Sequence, residues 1–188
     1  MVLEHPCLSP WKGAAAGGLI VFVWSAVSWM VLPFHEKTLK EFLDPPAVLQ
    51  ALAAGTRGSG AYILKNDMSG SSAPAGPFVF LSYHQEGWGS MGLTMFCGLI
   101  VQGVGAFFWT WILGKIPGLT SKDAALYGAF FGICVGVLGY LPHSVWWKFP
   151  LGFNLLYLVD ACVAWTAASV VIARWCRASV CALPSAPR

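Results

Sequence analysis

The sequence predicts an all-α integral membrane protein, a bundle of four transmembrane helices with one long extracytoplasmic loop. Hydrophobic residues make up 57% of the chain and charged residues only 10%, whereas a soluble domain carries about 25% charged residues. The apolar residues are gathered in four stretches, each close to the roughly 20 residues that a membrane-spanning helix needs. Since so few charges cannot cover a water-exposed surface, most of the apolar surface is expected to face lipid.

The four predicted spans cover residues 13–32, 89–113, 124–141 and 151–173 of a single membrane domain, residues 1–188. The first and third spans are expected to end at the prolines that follow them, because proline has no N–H with which to continue a helix. The second span has no charged residue and the fourth has one. Tryptophans near the span ends resemble the aromatic belts of membrane proteins.

Positive charge in the short flanks predicts that both termini are cytoplasmic, following the positive-inside rule. With four spans, one side of the membrane holds the two tails and the loop of residues 114–123. Long loops count little in this rule, so the cations of residues 34–88 are discounted. The small size and the short remaining loops favour a bacterial inner membrane. The basic residues on the predicted inner side are Lys12, Lys115, Lys122, Arg174, Arg177 and Arg188.

The extracytoplasmic loop, residues 34–88, begins with a predicted amphipathic helix over residues 36–43. Leu39, Phe42 and Leu43 fall on one face of that helix. An apolar face of this kind is typical of a helix that lies on a membrane surface.

The rest of the loop predicts one more short helix and a β-hairpin. The helix is expected to start at Asp44 or Pro45 and to run through Ala54, where Gly55 stops it. Residues 61–64 and 78–83 are rich in aromatic and aliphatic side chains, and a Gly/Ser-rich stretch joins them. Two such runs with turn residues between them predict a hairpin.

The third span carries a stripe of small residues, Gly128, Gly132 and Gly136. A glycine at every fourth position makes one smooth helix face, which lets a second helix approach closely in a membrane. The stripe either packs against another span of this chain or docks another integral membrane protein or a second copy.

Asp160, near the middle of the fourth span, is the first candidate for function. Ionisable residues inside a membrane are costly and are functional hypotheses by default. Burial favours the neutral form of a carboxyl group, and Gln102 is expected at a similar depth in the second span. We therefore predict a hydrogen bond between Asp160 and Gln102 that sets the register of two helices. The alternatives are a proton relay or ion site, or a bond to a partner's helix.

Three histidines at the predicted outer surface form a second candidate site. They are His35, His84 and His143, and Glu36 and Glu86 stand beside two of them. Imidazole and carboxylate groups bind zinc, copper and iron, so convergence of the helix ends would make a metal site. The alternatives are solvated interfacial side chains, pigment or haem ligation, and proton transfer.

The connection between the third and fourth spans, residues 141–150, is dense in aromatic and turn residues. Trp146 and Trp147 are expected to anchor it at the lipid headgroups, where tryptophan is enriched. A specific contact with a lipid, a quinone or a pigment is the alternative.

Function is less determined than fold at this stage. The sequence has no P-loop, no GxSxG elbow, no CxxC motif, no cysteine pair in the outer loop and no basic module for nucleic acid. The leading hypothesis is a non-catalytic accessory or scaffold subunit of a larger membrane complex, in contact with membrane lipids and with other integral membrane proteins. The alternatives are a metal-binding membrane protein or enzyme that uses the outer histidines, and a small proton-coupled transporter that uses Asp160. No cofactor is specified, but a metal ion, a lipid or a pigment is compatible with these sites.

Overall fold

The structure, a computed structural model, describes residues 9–64 and 77–180, with side chains as far as residue 175. Eight regular elements follow one another in the chain, together with a 3-10 turn, Glu36–Thr38, and a π-helical turn, Gly136–Tyr140. The elements are α1 (Pro10–Met30), α2 (Pro45–Gly55), β1 (Gly60–Leu64), β2 (Val79–Tyr83), α3 (Met91–Leu113), α4 (Ser121–Val135), α5 (Leu141–Trp146) and α6 (Leu151–Val180).

Four helices are long and apolar enough to cross a membrane, as predicted. They are α1, α3, the continuous helix formed by α4 and α5, and α6, with mean hydropathies between 1.6 and 2.0. Helix α1 starts at Pro10, earlier than predicted, because the first helical position needs no N–H donor and suits proline. These four helices are compatible with an integral membrane protein.

The third span continues past Pro142 to Trp146, where the sequence had predicted an end. A π-helical turn, Gly136–Tyr140, precedes the proline, and the N–H of Leu141 bonds the carbonyl of Gly136, five residues earlier. An interior proline would otherwise clash with the preceding turn of an α-helix. The wider π turn therefore carries the helix through the proline.

The amphipathic helix predicted over residues 36–43 is not present; only the 3-10 turn Glu36–Thr38 forms. The carbonyl oxygen of His35 accepts both the backbone N–H and the hydroxyl of Thr38. In an α-helix that oxygen would accept from the N–H of Leu39, which here bonds Glu36 instead. The chain is extended at Leu39, and the helical path stops there.

Helix α2 and the hairpin follow the local signals that predicted them. The Asp44 carboxylate caps α2 by accepting from the N–H of Ala47 at 3.1 Å. Strands β1 and β2 are antiparallel, with Gly60 opposite Tyr83 and Leu64 opposite Val79. The stretch predicted to join the two strands lies outside the described residues.

The hairpin rests on the connection between α5 and α6, because the rings of Phe80 and Trp147 stack with centroids 4.6 Å apart. We call this end of the bundle the hairpin end and the opposite end the tail end. Successive long helices alternate in direction. Helix α1 and the continuous helix α4–α5 run towards the hairpin end, and α3 and α6 run away from it.

The helices pack in two close pairs, α1 with α3 and α4 with α6, and α1 also packs along α6. Towards the tail end, Trp109 of α3 donates its indole N–H to Ser169 of α6 at 2.7 Å. The ring of Phe131, from α4, stacks on Trp109 with centroids 4.2 Å apart, and Trp165 meets Phe131 edge-on. Three helices therefore share one aromatic core at the tail end.

Candidate functional site

The candidate functional site is a polar cluster inside the bundle, in the half nearer the hairpin end. Helix α1 supplies Trp24 and Ser28, which are four residues apart and so share one face. Helix α6 supplies Asp160. His35 follows the end of α1, where a turn brings the chain back over the helix so that the imidazole reaches Ser28.

Three side chains contact the Asp160 carboxylate. His35 Nε2 lies 2.6 Å from Oδ2. The Ser28 hydroxyl lies 2.8 Å from Oδ1 and 2.9 Å from Oδ2. The indole N–H of Trp24 donates to Oδ1 at 3.2 Å. Trp24 and Ser28 of α1 thus hold the carboxylate on one side, and His35, which follows α1 in the chain, holds it on the other.

These contacts suit a carboxylate that only accepts hydrogen bonds. An indole N–H can only donate, so Oδ1 must accept from Trp24. The short contact between Asp160 and His35 is satisfied when Nε2 carries a proton and donates it. Hydrogen bonds to an ionised acceptor are shorter and stronger than neutral ones. Trp24 fixes Oδ1 as an acceptor, and the tautomer of His35 decides whether Oδ2 accepts a proton from Nε2 or donates one to it.

The predicted bond between Asp160 and Gln102 is replaced by these contacts, because the two residues lie at different depths. Helix α3 passes α1 at Gly18, where a Cβ would lie 2.7 Å from the Cα of Gly103, the residue after Gln102. Ser28, which bonds Asp160, lies ten residues further along α1. That spacing corresponds to about 15 Å of helix rise, more than a hydrogen bond can bridge.

The imidazole of His35 is completely buried, and the side chain of Asp160 is only 15% exposed. The ring of Trp29 stacks on the imidazole, with centroids 4.2 Å apart, and Tyr157 meets it edge-on at 5.5 Å. A further ring, Tyr140 from the π-helical turn, stacks on Tyr157 at 4.7 Å. Aromatic rings therefore hold the imidazole in one orientation.

The second ring nitrogen of His35, Nδ1, is buried and has no hydrogen-bond partner among the described residues. A buried polar atom without a partner is unfavourable and needs an explanation. In the neutral Nε2–H form, Nδ1 is an unused acceptor; in the imidazolium it is an unused donor. The cluster therefore has one polar atom that its own side chains do not satisfy.

Serine, histidine and aspartate are also the residues of a hydrolytic triad, but their arrangement here is different. In a triad, the serine and the carboxylate contact different ring nitrogens, so that the imidazole can take a proton from one and be held by the other. Ser28 and Asp160 both lie against Nε2 of His35. The geometry is that of a buried imidazole and a carboxyl group in direct contact with supporting donors, and not that of an activated nucleophile.

The predicted metal site is not formed. Within the part of the chain that the structure describes, no three His, Cys, Asp or Glu side chains lie close enough to hold a metal ion. His35 is buried against Asp160, whereas the other predicted ligands, His84, His143, Glu36 and Glu86, are exposed. The helix ends do not bring the histidines together, because His35 turns inward and the others stay at the surface.

The glycine stripe of the third span lies against α6. A Cβ on Gly128 would lie 2.5 Å from the backbone oxygen of Trp165, and one on Gly132 would lie 2.5 Å from the Cα of Cys162. A Cβ on Gly136 would collide with the side chain of Leu158. The stripe is therefore occupied by a helix of the same chain.

The structure adds two residues that sequence reasoning did not single out, Trp24 and Ser28. The only signal for them was the four-residue spacing of an indole and a hydroxyl in an apolar span, and that pattern is common in membrane helices. The two tryptophans predicted at the interface differ in exposure, since Trp146 is 72% exposed and Trp147, beneath the hairpin, is 38% exposed.

Comparisons of the chain with protein-family models, with curated proteins and with solved structures found no match. The chemistry of this protein is therefore inferred from its own side chains.

Proposed function

We propose that this chain is a non-catalytic integral membrane subunit that presents its segment of residues 34–88 to a larger membrane assembly. In this proposal both termini are cytoplasmic, the membrane is a bacterial inner membrane, and the hairpin end faces away from the cytoplasm. The observation that carries the proposal is the bond between His35 and Asp160. His35 is the second residue of that segment, and its imidazole is anchored at 2.6 Å to a carboxylate in α6.

The bond between His35 and Asp160 supports a scaffold role, because it fixes the segment of residues 34–88 to the long helices at one point. A second point is the stack of Phe80 on Trp147 at the same end of the bundle, where Phe80 lies 45 residues after His35 in the sequence. Two contacts of different chemistry hold the segment against the helices. A segment held in this way is suited to presenting a surface to a partner.

Helix α3 supplies the surface on which a partner helix would pack. The chain covers α3 mainly on the side that faces α1. The open side carries large apolar side chains at every fourth position, and each of them is more than half exposed. These residues are Phe96, Ile100, Val104 and Phe108. Close packing of such side chains drives helix association in a membrane.

The test is native mass measurement of the full chain, extracted gently from its own membrane. We expect a co-purifying membrane protein in fixed stoichiometry. Val104→Trp should reduce the co-purified fraction because it adds bulk to the open face of α3, and Val159→Trp, on the exposed side of α6, is the matched control. A wild-type chain that is recovered only as a monomer would contradict the proposal.

A proton-coupled function is the second candidate, and the unpartnered Nδ1 of His35 favours it. An imidazole beside a carboxylate can bind and release a proton, and proton relays in membranes use such groups. In proteoliposomes that contain the purified chain, this candidate predicts proton uptake that is lost in Asp160→Asn. If wild type and Asp160→Asn have the same proton flux as empty liposomes, the scaffold proposal stands alone.

A further inference from the structure

A groove of about 300 Å³ lies between the hairpin and the connection from α5 to α6. Strand β2 and the residue before it line one side, with Phe78 and Phe80, and the connection lines the other, with Trp147, Lys148 and Phe149. The volume is at the lower end of the range for small-molecule sites. Among the described residues, the groove therefore has an aromatic lining and one cation.

The walls of the groove are built by ring contacts. Phe80 stacks on Trp147 with an interplanar angle of 21°, and Phe149 meets Phe80 edge-on at 6.4 Å. Phe149 also lies 6.0 Å from Phe153 in the first turn of α6. The rings hold the hairpin and the connection together, so the groove is part of the fold.

Lys148 has an uncommon backbone conformation, with φ at 60°, the one positive φ among the described non-glycine residues. It follows the last turn of α5, where the N–H of Phe149 bonds the carbonyl of His143, six residues earlier. Glycine is the usual residue at a left-handed position just after a helix end. The left-handed conformation of Lys148 is unfavourable for a residue with a Cβ. A lysine at this position therefore suggests that its side chain has a role.

The groove is at the level of the lipid headgroups, because the connection joins the end of one span, Trp146, to the start of the next, Leu151. Aromatic side chains at this level contact the glycerol and upper acyl region, and a lysine attracts anionic headgroups. A ligand that matches this lining has a phosphate group next to a hydrocarbon part.

We propose that this groove binds an anionic phospholipid, with the phosphate at the Lys148 ammonium group and the glycerol and upper acyl chains along Phe80 and Trp147. The groove is too small for a whole lipid, so the chains continue over the apolar surface of the neighbouring spans. Lipid in this position would fill the space between the hairpin and the membrane helices. This site does not depend on the proposed function.

The test is native mass measurement of lipid retention by the full chain, with phosphatidylglycerol and phosphatidylcholine added to separate samples. We expect wild type to retain phosphatidylglycerol preferentially. Lys148→Asn should weaken that retention about fivefold, the effect of removing one cation at a membrane surface, while Lys148→Arg should preserve it. Asparagine is chosen for the test variant because it tolerates the left-handed conformation, so that the cation is removed without adding backbone strain.

A second arm distinguishes a lipid from a free anion. Inorganic phosphate at millimolar concentration should not displace phosphatidylglycerol from wild type, because it has no apolar body for the aromatic walls. Trp147→Ala should weaken retention even though the cation remains. Equal retention of the two lipids by wild type, unchanged retention by Lys148→Asn, or displacement by inorganic phosphate would each overturn the proposal.

Discussion

Replacing Gly132 by alanine tests the packing of the third span against α6. The new Cβ would lie 2.5 Å from the Cα of Cys162 and 2.7 Å from the carbonyl oxygen of Ala161. Both neighbours are backbone atoms, so no side-chain rotation can relieve the contact. The two helices must separate or bend at this point.

The size of the effect follows from that geometry. Ordinary van der Waals contact begins at 3.4 Å, so the helices must part by about 1 Å, and a gap of this size forfeits a quarter to a half of the dispersion energy of the contacts it opens. The flanking glycines, Gly128 and Gly136, depend on the same close approach. In lipid the hydrophobic effect does not drive helices together, so it cannot offset the packing energy that is lost. We expect Gly132→Ala to lower the free energy of unfolding by about 1–3 kcal/mol, as for other overpacked sites.

The assay is unfolding of the purified chain in mild detergent by titration with sodium dodecyl sulfate, followed by circular dichroism and tryptophan fluorescence. Gly103→Ala is the matched control, because a Cβ at that helical glycine meets no atom within 4 Å. It should be neutral or slightly stabilising, since alanine has the higher helix propensity. Unchanged stability in Gly132→Ala, or an equal loss in both variants, would refute the reasoning.

Two further predictions concern the polar contacts inside the bundle, measured in the same unfolding assay. Asp160→Leu should lower stability by about 3–5 kcal/mol, because removing one member of the buried pair leaves His35 without its partner. Asp160→Asn should cost clearly less, since its amide oxygen can still accept from Ser28, and equal losses in the two variants would contradict this account of the site. Ser169→Ala should cost about 1–3 kcal/mol because it leaves the buried indole N–H of Trp109 without an acceptor. Thr166→Ala is its control, since that hydroxyl bonds only the backbone of its own helix, and a comparable loss there would show that the Trp109 bond is not the cause.

Local signals predicted the elements of this fold well where neighbours in sequence decide the outcome. Four apolar stretches of sufficient length became four long helices, and Asp44 capped α2 as its position before two prolines suggested. The two runs rich in aromatic and aliphatic residues formed the two paired strands. Local signals were wrong at two places. After His35, the carbonyl oxygen that would have continued a helix is occupied by Thr38, and at Pro142 the third span continues because a π-helical turn precedes the proline.

The site could be predicted only in part. Asp160 stood out because a single carboxylate in an apolar span is conspicuous. The sequence favoured the wrong partner, since Gln102 was expected at the depth of Asp160 and His35 was expected at the outer surface. The choice required knowing that α1 packs along α6 and that its next residues turn back into the bundle. The predicted metal site of three histidines did not form for the same reason. The position of a residue near a helix end does not determine whether its side chain turns into the bundle or stays at the surface.

By itself, the sequence determined that four apolar helices form, that a hairpin stands beside them and that one carboxylate is enclosed. These properties depend on hydropathy, proline, glycine and strand-forming residues within short windows. The tertiary structure alone decided that Asp160 bonds His35, Ser28 and Trp24, that the glycine stripe faces α6, and that Lys148 lines an aromatic groove. The physical reason is that lipid is as apolar as the helices it surrounds. Hydropathy therefore makes each helix able to cross a membrane, and close packing between particular side chains selects its neighbours.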